Sequence, residues 1–126
     1  MIDIKIRETI NLRDKRVTVI GLGISGMEAA KLANYHGARV FASDLKSNEM
    51  VNAHAMDLMH TYHIASETGI QSGKVYDSDL WVLSPGISKD NEIVLKAIEK
   101  GIPIVGEIEF ASWFTKSPII AITGSN

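Results

Sequence analysis

The chain has 126 residues, 45% of them hydrophobic and 22% charged, with a net charge of -2 and no cysteine. That length suits one domain of about 100–200 residues with a buried core; 13 Lys and Arg against 15 Asp and Glu leave no basic tract to follow a phosphate backbone, and without cysteine there is neither a disulfide framework nor a thiolate metal site. No apolar run approaches the roughly 18 residues of a membrane span, and the amino terminus lacks the apolar core of a secretory signal, so we expect a cytoplasmic protein whose partners are neither nucleic acid nor membrane.

Residues 1–16 alternate Ile2, Ile4 and Ile6 with Asp3, Lys5 and Arg7, which suits an edge strand or an extended arm. From Val17 the run "VTVIGLG" predicts a strand ending in glycines, and "SGMEAAKLANYHG" predicts a helix closed by Gly37. A second strand follows over residues 39–43, then a helix over residues 48–63 and a short strand near residues 64–68. "DLWVLSPG" is a strand ending at Ser84, and "NEIVLKAIEKG" an amphipathic helix closed by Gly101, with Ile93, Leu95, Ala97 and Ile98 on or near its buried side. "IPIVG" predicts a strand, "EIEFASWFT" a short helix and "PIIAITG" a last strand. Apolar strands separated by helices imply a parallel sheet covered on both faces. The predicted fold is a single α/β domain, Rossmann-like and doubly wound, with a mostly parallel sheet of five or six strands over residues 17–126.

Chemistry in such folds gathers just after the strands. Gly21, Gly23 and Gly26 in "GLGISG" match G-x-G-x-x-G between a strand and a helix, where the first glycine permits the turn, the second admits a ligand to the backbone and the third lets the helix pack close. The N–H groups of Ile24 and Ser25 and the positive end of the helix dipole suit a diphosphate; the plain alternative is a tight turn and nothing more. Asp44 ends the second strand about 20 residues on, where an acid commonly takes ribose hydroxyls. Lys46 could reach a phosphate or a base carbonyl, or belong to a solvated turn. Ser84, Pro85 and Gly86 form a rigid third loop. Glu107 and Glu109 read best as helix-capping carboxylates. His54, His60 and His63 read as a solvated helix face, because no acid or further ligand sits at metal-binding spacing. Met50, Met56 and Met59 read as core or half-buried packing. No Ser-His-Asp arrangement emerges, so neither a catalytic residue nor a metal ligand is assigned.

In order and spacing, "VTVIGLGISG", "SD" at residues 43–44, "VLSPGI", "GIPIVGEIEF" and "PIIAITGSN" resemble the N-terminal domain of the Mur ligases, over about residues 17–126. The resemblance implies a domain holding the UDP of a sugar substrate. Ile24 and Ser25 then face the diphosphate, Asp44, Leu45 and Lys46 line the uridine, and Ser84, Pro85 and Gly86 flank it. Within the family the similarity is to members that add D-glutamate to UDP-N-acetylmuramoyl-L-alanine in an ATP-dependent step of peptidoglycan biosynthesis, using Mg2+, a central ATPase domain and a C-terminal domain. Thr123, Gly124, Ser125 and Asn126 match the first half of the family's ATP phosphate loop, and its Gly-Lys-Ser/Thr half is absent. The resemblance therefore implies a domain cut at the start of that loop, separated from its ATPase and C-terminal domains, inactive alone and holding no cofactor. The alternative is an NAD(P)-binding module of an oxidoreductase or redox regulator, supported by "GLGISG" with Asp44.

Overall fold

Runs of Val, Ile and Leu punctuated by glycine set the elements of this chain. In the computed structural model, which describes residues 11–114, they are β1 (Arg16–Ile20), α1 (Ile24–Tyr35), β2 (Arg39–Asp44), α2 (Glu49–Tyr62), β3 (Ala65–Thr68), a 3-10 turn (Gly73–Tyr76), β4 (Leu80–Leu83), α3 (Glu92–Glu99), β5 (Ile104–Gly106) and α4 (Glu107–Ser112). The five strands form one sheet in the order β3-β2-β1-β4-β5, and every adjacent pair is parallel. This is the doubly wound α/β fold expected. The strand predicted at residues 118–124 and most of the arm predicted at residues 1–16 lie outside the described residues, although Leu12 reaches into the core at 5% exposure.

Successive side chains of a strand point to opposite faces, and here that alternation feeds two separate cores. Val17 and Val19 of β1, Ala42 of β2, Leu80 and Val82 of β4 and Val105 of β5 pack with α1, α2 and α4. Ile20, Trp81 and Leu83 face the other way, onto Val94 and Ala97 of α3 and Val75 of the 3-10 turn. The indole N–H of Trp81 donates to the Val75 carbonyl at 2.7 Å, which satisfies a polar group in a fully buried ring.

Two packing expectations need correcting. Met50, Met56 and Met59 are exposed at 47%, 61% and 46%, because the buried stripe of α2 runs through Val51, Ala55, Leu58 and Tyr62, spaced at i, i+4, i+7 and i+11. On α3, Ala97 is buried as expected, but Leu95 and Ile98 are exposed and Val94 is buried in their place. Five apolar residues in eight make a stripe wider than the face a core uses, so the pattern names the helix but not which half of the stripe turns inward.

Candidate functional site

The strand order reverses at β1, whose neighbours are β2 on one side and β4 on the other. Loops leaving β1 and β4 diverge there and open a crevice at the carboxyl end of the sheet. Three segments meet in it: the glycine loop after β1, the turn after β2 and the turn after β4.

The glycines of the first loop have three different physical reasons. Gly21 has φ +104, and a Cβ there would sit 2.6 Å from the Cβ of Ser84, so this position needs glycine both for its backbone and for its neighbour. Gly26 is buried against the loop itself, where a Cβ would lie 1.9 Å from the Gly21 carbonyl oxygen. Gly23 has an ordinary φ of -71 and nothing within 4 Å of a built Cβ. Space, and not strain, is what glycine leaves at that position.

Helix capping separates this loop from the turns that lead into α2 and α3. Asn48 caps α2 by accepting from the Val51 N–H at 2.9 Å, and Asn91 caps α3 by accepting from the Ile93 N–H at 3.0 Å. At α1 the cap position is Gly23, and no side chain bonds the helix start. The first N–H groups of a helix have no partner within it, so α1 presents donors and the positive dipole end to the crevice.

Asp44 is placed otherwise than a free ribose acceptor. Its Oδ2 accepts from the Leu22 N–H at 2.7 Å and its Oδ1 from the Lys46 N–H at 2.8 Å. Each carboxylate oxygen keeps a second lone pair, but the first task of Asp44 is to tie the glycine loop to the end of β2. Gly21, Gly23, Asp44, Leu45, Lys46, Ser84 and Gly86 are gathered around one cavity of about 570 Å³. Lys46 is the one cation lining it among the described residues, so an anion there would meet backbone donors more than charge. Ser25 and Pro85 line a separate cavity of about 430 Å³ alongside Glu107. Ile24 is 71% exposed at the helix start. Thr123, Gly124, Ser125 and Asn126 lie outside the described residues.

Glu107 and Glu109 do stand in the first turn of α4, but no side chain makes a capping hydrogen bond there. Glu107 is instead buried, and its Oε1 has no hydrogen-bond partner among the described residues. Burial pushes its pKa up, with the nearby Ser25 hydroxyl pulling the other way.

Two residues also act on the loops of the crevice, one that the sequence reads otherwise and one that it does not single out. His54 is no solvated side chain: its Nδ1 lies 2.8 Å from the carbonyl oxygen of Leu22 in the glycine loop. His60 and His63 are exposed. Glu67 accepts from the hydroxyls of Ser43 at 2.9 Å and Ser72 at 2.6 Å, and from the Ser72 N–H at 2.9 Å. Burial alone pushes the Glu67 pKa up, but these hydrogen bonds outweigh it and hold the carboxyl below its ordinary value. The segment so anchored carries Gln71, which also lines the larger cavity. Only the tertiary fold brings these groups together, so no local spacing announces them. Among the described residues, no group of three or more His, Asp or Glu is placed to hold a metal ion, and no helix is long and apolar enough to cross a membrane.

Comparison with known proteins agrees with this fold. A family described as Mur ligase MurD-like, N-terminal domain, matches residues 15–106. A UDP-N-acetylmuramoylalanine--D-glutamate ligase from Koribacter versatilis is 41% identical over 118 residues, covering 93% of this chain and 26% of its own length. A protein of the same name from Chlorobium phaeobacteroides is 39% identical over 117 residues, covering 93% and 25%. The chain thus spans about a quarter of the length of the curated relatives it matches. Among solved structures, a UDP-N-acetylmuramate:L-alanyl-gamma-D-glutamyl-meso-diaminopimelate ligase from Neisseria meningitides superposes with a TM-score of 0.64 at 17% identity, over 81% of this chain and 31% of that one. At that identity the likeness speaks for the fold.

Proposed function

The chain belongs to the family of Mur ligase MurD-like N-terminal domains, and on that footing we propose that it holds the nucleotide end of UDP-N-acetylmuramoyl-L-alanine. The observation that carries the reading is the uncapped start of α1 at Gly23, opening on a cavity shared with the turns after β2 and β4. The diphosphate lies against Gly23, Ile24 and Ser25, where backbone donors and the helix dipole favour an anion. The uridine lies over Asp44, Leu45 and Lys46, with Ser84, Pro85 and Gly86 on its other side. Asp44 contributes first by holding the loop, and offers its remaining lone pairs to the ligand.

The proposal extends to the longer protein that the relatives' names describe. There the step is ATP-dependent addition of D-glutamate in peptidoglycan biosynthesis, in the cytoplasm, with Mg2+ and with the ATPase and C-terminal domains as partners of this one. For the 126 residues alone the proposal is binding without ligation. The NAD(P) reading has less support: the family matched is that of the Mur ligases. Calorimetric titration with UDP-N-acetylmuramoyl-L-alanine and, separately, with NADH discriminates the two. Heat with the UDP-sugar and none with NADH is expected; tight NADH binding with a silent UDP-sugar would overturn the proposal.

A further inference from the structure

Leu22, in the middle of the glycine loop, is gripped at both of its backbone polar groups by side chains of the segment that follows it in the sheet. Asp44 Oδ2 takes its N–H at 2.7 Å, and His54 Nδ1 meets its carbonyl oxygen at 2.8 Å. A carbonyl oxygen only accepts, so Nδ1 of His54 carries the proton and donates it.

The peptide bonds described here are trans, and in a trans peptide the C=O and the N–H point in opposite directions. Two consecutive peptide planes are therefore set from outside the loop. In the Gly21–Leu22 peptide the N–H goes to Asp44, which sends the Gly21 carbonyl the other way, against Gly26, where even a Cβ would come within 1.9 Å. In the Leu22–Gly23 peptide the carbonyl goes to His54, which sends the Gly23 N–H away from α2 and onto the open side of the loop. No acceptor among the described residues meets that N–H.

We infer that His54 is a positioning residue for diphosphate recognition: by holding the Leu22 carbonyl it aims the Gly23 N–H at the phosphates. The inference rests on the nucleotide reading above. Without the imidazole, the Leu22–Gly23 peptide is free to rotate and present a carbonyl oxygen, an acceptor that repels an anion, where the donor should be. The segment from β2 into α2 thus does two jobs, lining the nucleoside with its turn and orienting the phosphate loop through Asp44 and His54.

The test compares His54→Leu and His54→Asn with the unsubstituted 126-residue chain, by titration with UDP and with uridine followed by NMR. The amide of asparagine places an N–H donor near the position of Nδ1. His54→Leu should weaken UDP about tenfold, the worth of one hydrogen bond to a charged group, and leave uridine unchanged. His54→Asn should recover most of the UDP affinity, and the Gly23 amide resonance should shift on UDP binding in the unsubstituted and Asn proteins but not in the Leu variant. Unchanged UDP affinity in His54→Leu overturns the inference. So does an equal fall for UDP and uridine, which marks general damage, and so does an Asn variant no better than Leu. An unsubstituted chain that binds no UDP overturns the nucleotide reading and this inference with it, whereas binding that ignores His54 overturns the inference alone.

Discussion

Gly23→Val separates binding from folding more cleanly than any other substitution in the crevice. Gly23 has φ -71 and ψ -170, extended backbone that valine adopts readily, and no atom lies within 4 Å of its Cβ position. Adding a side chain lowers the entropy of the unfolded chain, worth about 0.4–1 kcal/mol in favour of the fold, while an apolar residue at a helix cap costs about as much. The two offset, so urea denaturation should show a stability within about 1 kcal/mol of the unsubstituted chain. UDP binding should fall at least tenfold, or about 1.4 kcal/mol, because the isopropyl group fills the space through which the phosphates approach the backbone. Gly26→Ala is the control with the opposite signature. Its Cβ would lie 1.9 Å from the Gly21 carbonyl oxygen, α1 must shift to admit it, and overpacking of this kind costs about 3 kcal/mol. Unchanged UDP affinity in Gly23→Val, or a Gly26→Ala variant as stable as the parent, would refute the reasoning.

Asp44→Ala leaves the buried Leu22 N–H without its charged acceptor, so a loss of about 1.5–3 kcal/mol is expected, together with faster amide exchange at Leu22. Asp79 is held at a pKa of about 2 by hydrogen bonds from the Arg16 guanidinium and the Arg16 N–H. Its ordinary value is 3.8, so the stability it supplies is complete above that pH and fades as pH falls toward 2; because its side chain is 38% exposed, solvent screening limits the contribution to about 1 kcal/mol. Acid titration of stability should flatten over that window in Asp79→Asn. Glu107 has the opposite sign: its raised pKa favours folding only while it is protonated and works against the fold as pH rises and the buried carboxyl ionises. Glu107→Gln should therefore raise the thermal midpoint at pH 7, and the gap should close below the usual carboxylate range.

The fold was legible because its signals are local. Glycines end β1 and follow α1 and α3, and β1, β4 and β5 carry short runs rich in Val, Ile and Leu. The glycine loop was legible for the same reason, since its three glycines lie within six residues. What failed to show was everything set by contacts between distant segments. Asp44 meets Leu22 across 22 positions and His54 meets it across 32, so the part both residues play in holding the glycine loop has no local signature, and a solvated histidine was a reasonable reading of His54. Glu67 reaches Ser43 across 24 positions in the same way. The methionines of α2 misled for another reason. An apolar side chain says only that it can be buried, and Val51 and Leu58 already supply the inward stripe.

The central claim is that a uridine diphosphate lies across the carboxyl ends of β1, β2 and β4, and amide chemical-shift mapping during a UDP titration tests it most directly. The account predicts the largest changes at Gly23, Ile24 and Ser25, at Leu45 and Lys46, and at Ser84 and Gly86, with little change at α3 or at the exposed side of α2. Saturable shifts centred elsewhere, or none with UDP while NADH moves the same amides, would contradict it.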